Sequence, residues 1–108
     1  MGSAESNPFS YEVVMDDDTT TVKCRGRIVS DTAAELKQLV RPMIPRVRRI
    51  ILDLSDVSFI DSSGLGTLVG LKVSAASAAY TSLELVNLSP LVKELLHTTK
   101  LSQLFGAA

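Results

Sequence analysis

The chain is poor in the residues that most often build reactive or cross-linked sites: its 108 residues include one cysteine, Cys24, one histidine, His97, and no tryptophan. A lone cysteine closes no internal disulfide, and one histidine with one cysteine cannot complete a structural zinc site built from those two residue types. Any imidazole-based catalysis would rest on His97 alone. Long apolar runs are missing too. The longest stretch without a charged side chain runs from Val73 to Leu83, well short of the about 20 residues a membrane-spanning helix needs. No basic residue and no long apolar run precedes Lys23, so the N-terminus does not read as a signal or transit peptide, and a cytoplasmic location is expected. Nor does one charge dominate. Eleven Lys and Arg against twelve Asp and Glu leave a net charge of -1, which removes the long-range pull toward nucleic acid or anionic membrane that a basic domain exerts.

What is present suits one globular domain with its own core, at 45% hydrophobic and 21% charged residues. Residues 1–8, rich in small and polar types, read as a flexible tail, and 9–108 as the domain. Two short runs rich in Val, Thr and aromatics, Phe9 to Met15 and Thr19 to Cys24, flank Asp16, Asp17 and Asp18 and predict a β-hairpin with an acidic, solvated turn. Leu36, Leu39, Val40 and Met43 fall at helical spacing after Ser30, Asp31 or Thr32 as a cap, with Pro42 and Pro45 closing or bending the last turn. Arg49 to Leu54 predicts a central strand, Ser55 to Asp61 a loop, and Ser62 or Ser63 the cap of a long helix reaching Tyr80. Leu83 to Leu88 is the next strand. Ser89 before Pro90 opens a third helix to His97, and Thr98 to Ala108 supplies a last short element. The order ββαβαβα predicts an α/β fold: an open mixed sheet, parallel in its later strands, with helices packed on it.

The sharpest local feature is Phe59-Ile60-Asp61-Ser62-Ser63-Gly64-Leu65-Gly66. A strand-to-helix junction with two hydroxyls and two glycines presents free N–H groups and the positive end of a helix dipole, a setting that favours negative charge. The plainer reading is that the serines cap the helix and the glycines permit close packing. Enzymatic readings of this segment each fail on a residue. A dinucleotide fingerprint beginning at Gly64 and Gly66 needs a third glycine where Val69 stands, and a P-loop needs Lys and a hydroxyl residue directly after Gly70, which Leu71 and Lys72 do not provide. A serine nucleophile elbow needs glycine two residues before the serine, where Ile60 precedes Ser62. No enzymatic activity, cofactor or metal is expected.

The run Leu52-Asp53-Leu54-Ser55-Asp56-Val57-Ser58-Phe59-Ile60-Asp61-Ser62-Ser63-Gly64-Leu65-Gly66 closely resembles the signature of the STAS domain, the fold shared by bacterial anti-sigma factor antagonists and the cytoplasmic tails of sulfate transporters. The resemblance extends from about Tyr11 to Phe105, through Gly26 to Leu36 and the segment around Pro90. It implies a partner switch acting on transcription. The unphosphorylated form binds an anti-sigma factor that is itself a serine kinase and frees the sigma factor, and phosphorylation of the serine after the aspartate, Ser62 here, ends that association. Ser63 is the weaker candidate, and Asp61, Ser63, Gly64, Leu65 and Gly66 form the surroundings of the phosphoserine. The implied partners are the kinase, a serine phosphatase and a second copy in a weak homodimer, with no nucleic acid and no membrane insertion. The alternative is a STAS module that does not switch, a signalling scaffold or an accessory subunit of a lipid transporter.

Three departures stand out. Val29 occupies a position where antagonists commonly carry aspartate, with Asp31 nearby; Lys72 replaces an apolar or aromatic residue; and the chain ends at Gly106-Ala107-Ala108, where some members add a strand and a helix. Elsewhere, Arg46, Arg48 and Arg49 read as a solvated strand entry, His97 as a helix C-terminal residue and Cys24 as inert packing. On a helical wheel the long helix shows two apolar stripes, one of Leu65, Val69, Val73, Ala76 and Tyr80 and one of Leu68, Leu71, Ala75, Ala78 and Ala79, with Lys72 between them. One is expected on the sheet. The other, centred on Leu71 and Ala75, is expected to be exposed beside Ser62 as the partner-binding surface; both could instead be covered by the hairpin or the C-terminal residues.

Overall fold

In the computed structural model, which describes residues 9–101, the chain opens with a hairpin. Strand β1 (Phe9–Asp16) pairs antiparallel with β2 (Thr19–Ile28), from Phe9↔Gly26 to Asp16↔Thr19. Asp17 turns the corner with φ of 51°, a left-handed conformation that aspartate tolerates better than most residues. Helix α1 (Ser30–Val40) and a 3-10 turn (Arg41–Met43) lead to β3 (Arg49–Ile60). Helix α2 (Ser62–Ala78), β4 (Ser82–Val86) and α3 (Pro90–Thr98) follow. The sheet order is β1-β2-β3-β4, with β3 parallel to both of its neighbours. This is the predicted α/β architecture.

The register puts Val13, Val22, Leu52 and Leu85 in one row and Thr20, Ile50 and Leu83 in the next. From β2 to β4 these side chains are buried. Helices α1 and α2 pack on each other and on the sheet, and α3 lies against β3 with Val92 and Leu96 buried. The opposite face of the sheet carries Glu12, Lys23, Arg49, Asp53 and Glu84, none of them buried. There Arg49 grips Glu84 through two hydrogen bonds of 3.0 and 3.1 Å, which holds the Glu84 carboxyl below its ordinary range. Partial burial pushes Asp53 up, but the Ser55 and Asn87 hydrogen bonds and the nearby Lys23 outweigh it, so its carboxyl also sits low.

Strand β3 corrects one expectation. The segment Ser55 to Ile60 is not a loop: it continues beside β2 through Arg25↔Asp56, Gly26↔Val57, Arg27↔Phe59 and Ile28↔Ile60. The pairing slips twice, between Lys23 and Arg25 and between Gly26 and Arg27, and each time β3 supplies the extra residue. Two bulges shift burial from Ile50, Leu52 and Leu54 to Val57 and Ile60, which erases the two-residue alternation by which a strand is read. The start of α1 is a second correction. Its N-cap is Val29, and the one hydroxyl involved, Thr32 Oγ1, accepts from the Val29 amide at 2.8 Å from inside the helix. Pro42 lies in the 3-10 turn, and a cis bond precedes Pro45. Helix α3 starts as expected, with Ser89 Oγ accepting from the Val92 amide at 3.3 Å. The expected tail, 1–8, and most of the expected last element, 102–108, lie outside the described residues.

Candidate functional site

The end of β3 delivers Asp61 beside the end of β2, where its amide donates to the Ile28 carbonyl at 3.3 Å. Asp61 is the N-cap of α2. Its Oδ1 accepts the Gly64 amide at 2.9 Å and its carbonyl accepts the Leu65 amide at 2.9 Å. Neither Ser62 nor Ser63 caps the helix, contrary to the expectation from sequence. Aspartate and serine are near-equal caps, and Asp61 takes the position because its backbone is still extended, at φ -97° and ψ -173°, while Ser62 is already the first helical residue. A carboxylate at the cap also leaves both hydroxyls for other work.

The two serines differ in their surroundings. Ser62 is exposed and its hydroxyl makes no hydrogen bond among the described residues. Ser63, also exposed, lies with its Oγ 3.4 Å from Ser30 Oγ at the start of α1. With the Gly64 and Leu65 amides taken by Asp61, the amides of Ser62 and Ser63 are the ones left to face an anion.

Gly64 sets the helix in place. A Cβ there would collide with the Ile28 carbonyl oxygen and lie 2.9 Å from Ile28 Cγ2, so α2 touches the end of β2 backbone to backbone. Gly66 and Gly70 do the reverse: an added Cβ meets nothing within 4 Å at either position. They border a groove of about 410 Å³, opposite Lys37 of α1 and Arg41 just after it, and beside Ser63 and Thr67.

Seated by Gly64, α2 buries Leu68, Leu71 and Ala75. Leu71 and Ala75 are 2% and 1% exposed, so the expected partner surface at these two residues is corrected: they belong to the core. The other stripe faces outward, with Leu65 and Val69 half-buried and Val73 and Tyr80 each 51% exposed. Lys72, between the stripes, lays its stem along the protein and donates from Nζ to the Leu83 carbonyl at 2.8 Å. The Ser82 amide points to Arg48 of the 3-10-to-β3 link, so by alternation Leu83 presents its carbonyl on the free side of β4, and Lys72 blunts that edge.

Two features near the junction escaped sequence reasoning. Phe59 is 40% exposed, and the Arg27 guanidinium sits 5.5 Å from its ring centre; an aromatic within a polar run was the available signal. The α1/α2 groove depends on tertiary placement and had none. At Val29 an apolar side chain stands beside this site, and the local turn is tied by Thr32 Oγ1 donating to the Arg27 carbonyl at 2.7 Å. The remaining candidates lie elsewhere. Cys24 is fully buried on β2, where burial and then the charge of Asp53 push its thiol up to about 12. His97 is in the last turn of α3. Arg48 lies 6.0 Å from the Tyr80 ring centre, at the far end of α2. Among the described residues no three His, Cys, Asp or Glu side chains are grouped to hold a metal ion, and no helix is long and apolar enough to cross a membrane.

The model of the STAS domain fits residues 10–107. The chain belongs to the STAS domain family. Among solved structures similar to this chain, an anti-sigma factor antagonist from Mycobacterium paratuberculosis is 26% identical, with a TM-score of 0.79 over 90% of this chain and 82% of that one. The anti-sigma factor antagonist SpoIIAA in its unphosphorylated form is 23% identical, with a TM-score of 0.74 over 87% of this chain and 84% of that one; SpoIIAA from Bacillus has also been solved in its phosphorylated form. A sulfate transporter family protein from Wolinella succinogenes shares the fold at 19% identity and a TM-score of 0.73, over 88% of this chain and 75% of that one.

Proposed function

We propose that this STAS domain is an anti-sigma factor antagonist that binds its partner through the α2 end of the molecule and releases it on phosphorylation of Ser62. The observation that carries this reading is the state of that residue: an exposed hydroxyl without a hydrogen bond, at the first position of a helix already capped by Asp61. A kinase reaches such a hydroxyl without unfolding anything. Phosphorylation adds about -1.5 to -2 charges, and the Ser62 and Ser63 amides with the helix dipole accommodate them. The modification therefore acts on partner affinity and not on the fold. The partner is an anti-sigma factor serine kinase, a serine phosphatase resets the switch, and the domain itself turns over no substrate.

Val29 favours the second reading, a STAS module that does not switch, because an apolar side chain stands where antagonists commonly carry an aspartate. Incubation of the wild type, Ser62→Ala and Ser63→Ala with ATP and the cognate kinase, followed by peptide mass spectrometry, separates the two. The switch predicts phosphate on Ser62, no incorporation in Ser62→Ala and unchanged circular dichroism. Phosphate that persists in Ser62→Ala, or none in the wild type, rejects it.

A further inference from the structure

The groove between α1 and α2 is not accounted for by the packing of the domain. Lys37 on α1 and Arg41, which follows α1 one turn later at the start of the 3-10 turn, stand opposite Ser63, Gly66, Thr67 and Gly70 on α2, and no carboxylate lines the space between. Arg25 and Arg49 each have an acidic partner, while neither Lys37 nor Arg41 has one among the described residues. The same two cations also border a second cleft, of about 700 Å³, with Ala34, Pro42 and Ile44. They thus stand on a ridge between two concave surfaces. Gly66 and Gly70 each weaken a helix relative to alanine, and no neighbour requires the absence of a Cβ at either position. What they supply is access of another backbone to α2.

We propose that this groove docks an acidic peptide segment of the partner protein, its carboxylates on Lys37 and Arg41 and its backbone against Gly66 and Gly70. The proposal rests on the partner-switching reading and adds where the partner lies. Four residues along α1 rise about 6 Å, which matches carboxylates one helical turn apart or two residues apart on an extended chain. It also gives the switch a means of action. Ser63 lines the groove and Ser62 precedes it, so a phosphate on Ser62 brings about -1.5 to -2 charges to the groove's end. There it repels an acidic occupant.

The first arm of the test needs no kinase. Isotope-labelled protein is titrated with a blocked peptide of glutamate and alanine, with its glutamine analogue and with inorganic phosphate, and backbone amide shifts are followed by NMR. The glutamate peptide is expected to move the amides of Gly66, Thr67 and Gly70, and the glutamine analogue to leave them unmoved. The double variant K37E/R41E loses affinity at least about tenfold, and Ser62→Glu loses about threefold. Gly66→Leu fills the groove and loses affinity comparably while its circular dichroism stays that of a folded domain. Shifts that map to Arg46 and Arg48, no response at millimolar peptide, or an equal response to phosphate alone would overturn the proposal. A positive titration with no phosphate ever entering Ser62 keeps the groove and rejects partner switching. Kinase binding undiminished in K37E/R41E rejects the groove and leaves Ser62 as the switch.

Discussion

The two faces of α2 are built from similar residues and have opposite roles. On the inner face, Gly64 lets the helix touch Ile28, and Leu68, Leu71 and Ala75 continue that line into the core. On the outer face, Gly66 and Gly70 look into open space, and Val73 is half exposed. Hydrophobicity does not separate them, because leucine, alanine and glycine appear on both. The separation comes from one contact at the helix start: with Gly64 against the Ile28 carbonyl, helical geometry assigns positions four, seven and eleven residues on to the core. What remains outside is Ser62, Ser63, the glycine-lined groove and the exposed stripe, the surface on which the proposed function rests.

The strongest way to break this distinction is to truncate one side chain on each face. Leu71→Ala should cost about 2–5 kcal/mol, as a leucine lost from a packed core does, while Val73→Ala, on the exposed face, should stay within about 0.5 kcal/mol. Equal losses in urea denaturation would mean that the helix is rotated from the position described. The glycines give a smaller but sharper contrast, because the sign changes. Gly64→Ala should lose roughly 1–3 kcal/mol through overpacking against Ile28, and Gly66→Ala should gain about 0.5–1 kcal/mol from helix propensity. Thermal midpoints moving in the same direction would contradict the two roles.

The smallest expected effect lies away from α2, on the open face of the sheet. Asp53→Asn should cost about 0.5–1 kcal/mol at neutral pH, since the amide accepts fewer charge-assisted hydrogen bonds from Ser55 and Asn87. The folded state holds the Asp53 carboxyl below its ordinary value. Its contribution is therefore present above the unfolded value of about 4 and fades as pH falls through the lower folded one. Wild type and Asp53→Asn should converge in stability below about pH 4. A gap that persists in acid would mean that Asp53 acts by packing.

Much of this was legible in the chain. The alternation of elements, the hairpin with its acidic turn and the serine-proline start of α3 follow from local patterns, and the DSSGLG run identified both the fold and the serine pair. The second half of β3 was not legible, because its two bulges break the alternation a strand shows and leave Ser55, Asp56 and Ser58 outward in an irregular order. The rotation of α2 was not legible either: both stripes are apolar, so Leu71 and Ala75 were expected outside and are inside. Lys72 was placed correctly between the stripes, but its acceptor is a carbonyl of β4, which only the fold brings within reach. The cap at Asp61 was missed for a local reason, since three adjacent residues are all good caps.

The central claim is that Ser62 sits on a preformed surface where charge changes affinity and leaves the fold intact. Its most direct test is a calorimetric titration of the cognate kinase with the unphosphorylated domain and with the domain phosphorylated on Ser62, alongside the thermal midpoint of each form. The account predicts at least about tenfold weaker binding of the phosphorylated form, with its midpoint shifted by no more than about 2 °C. Equal affinities, or weakened binding accompanied by loss of the folded state, would contradict it.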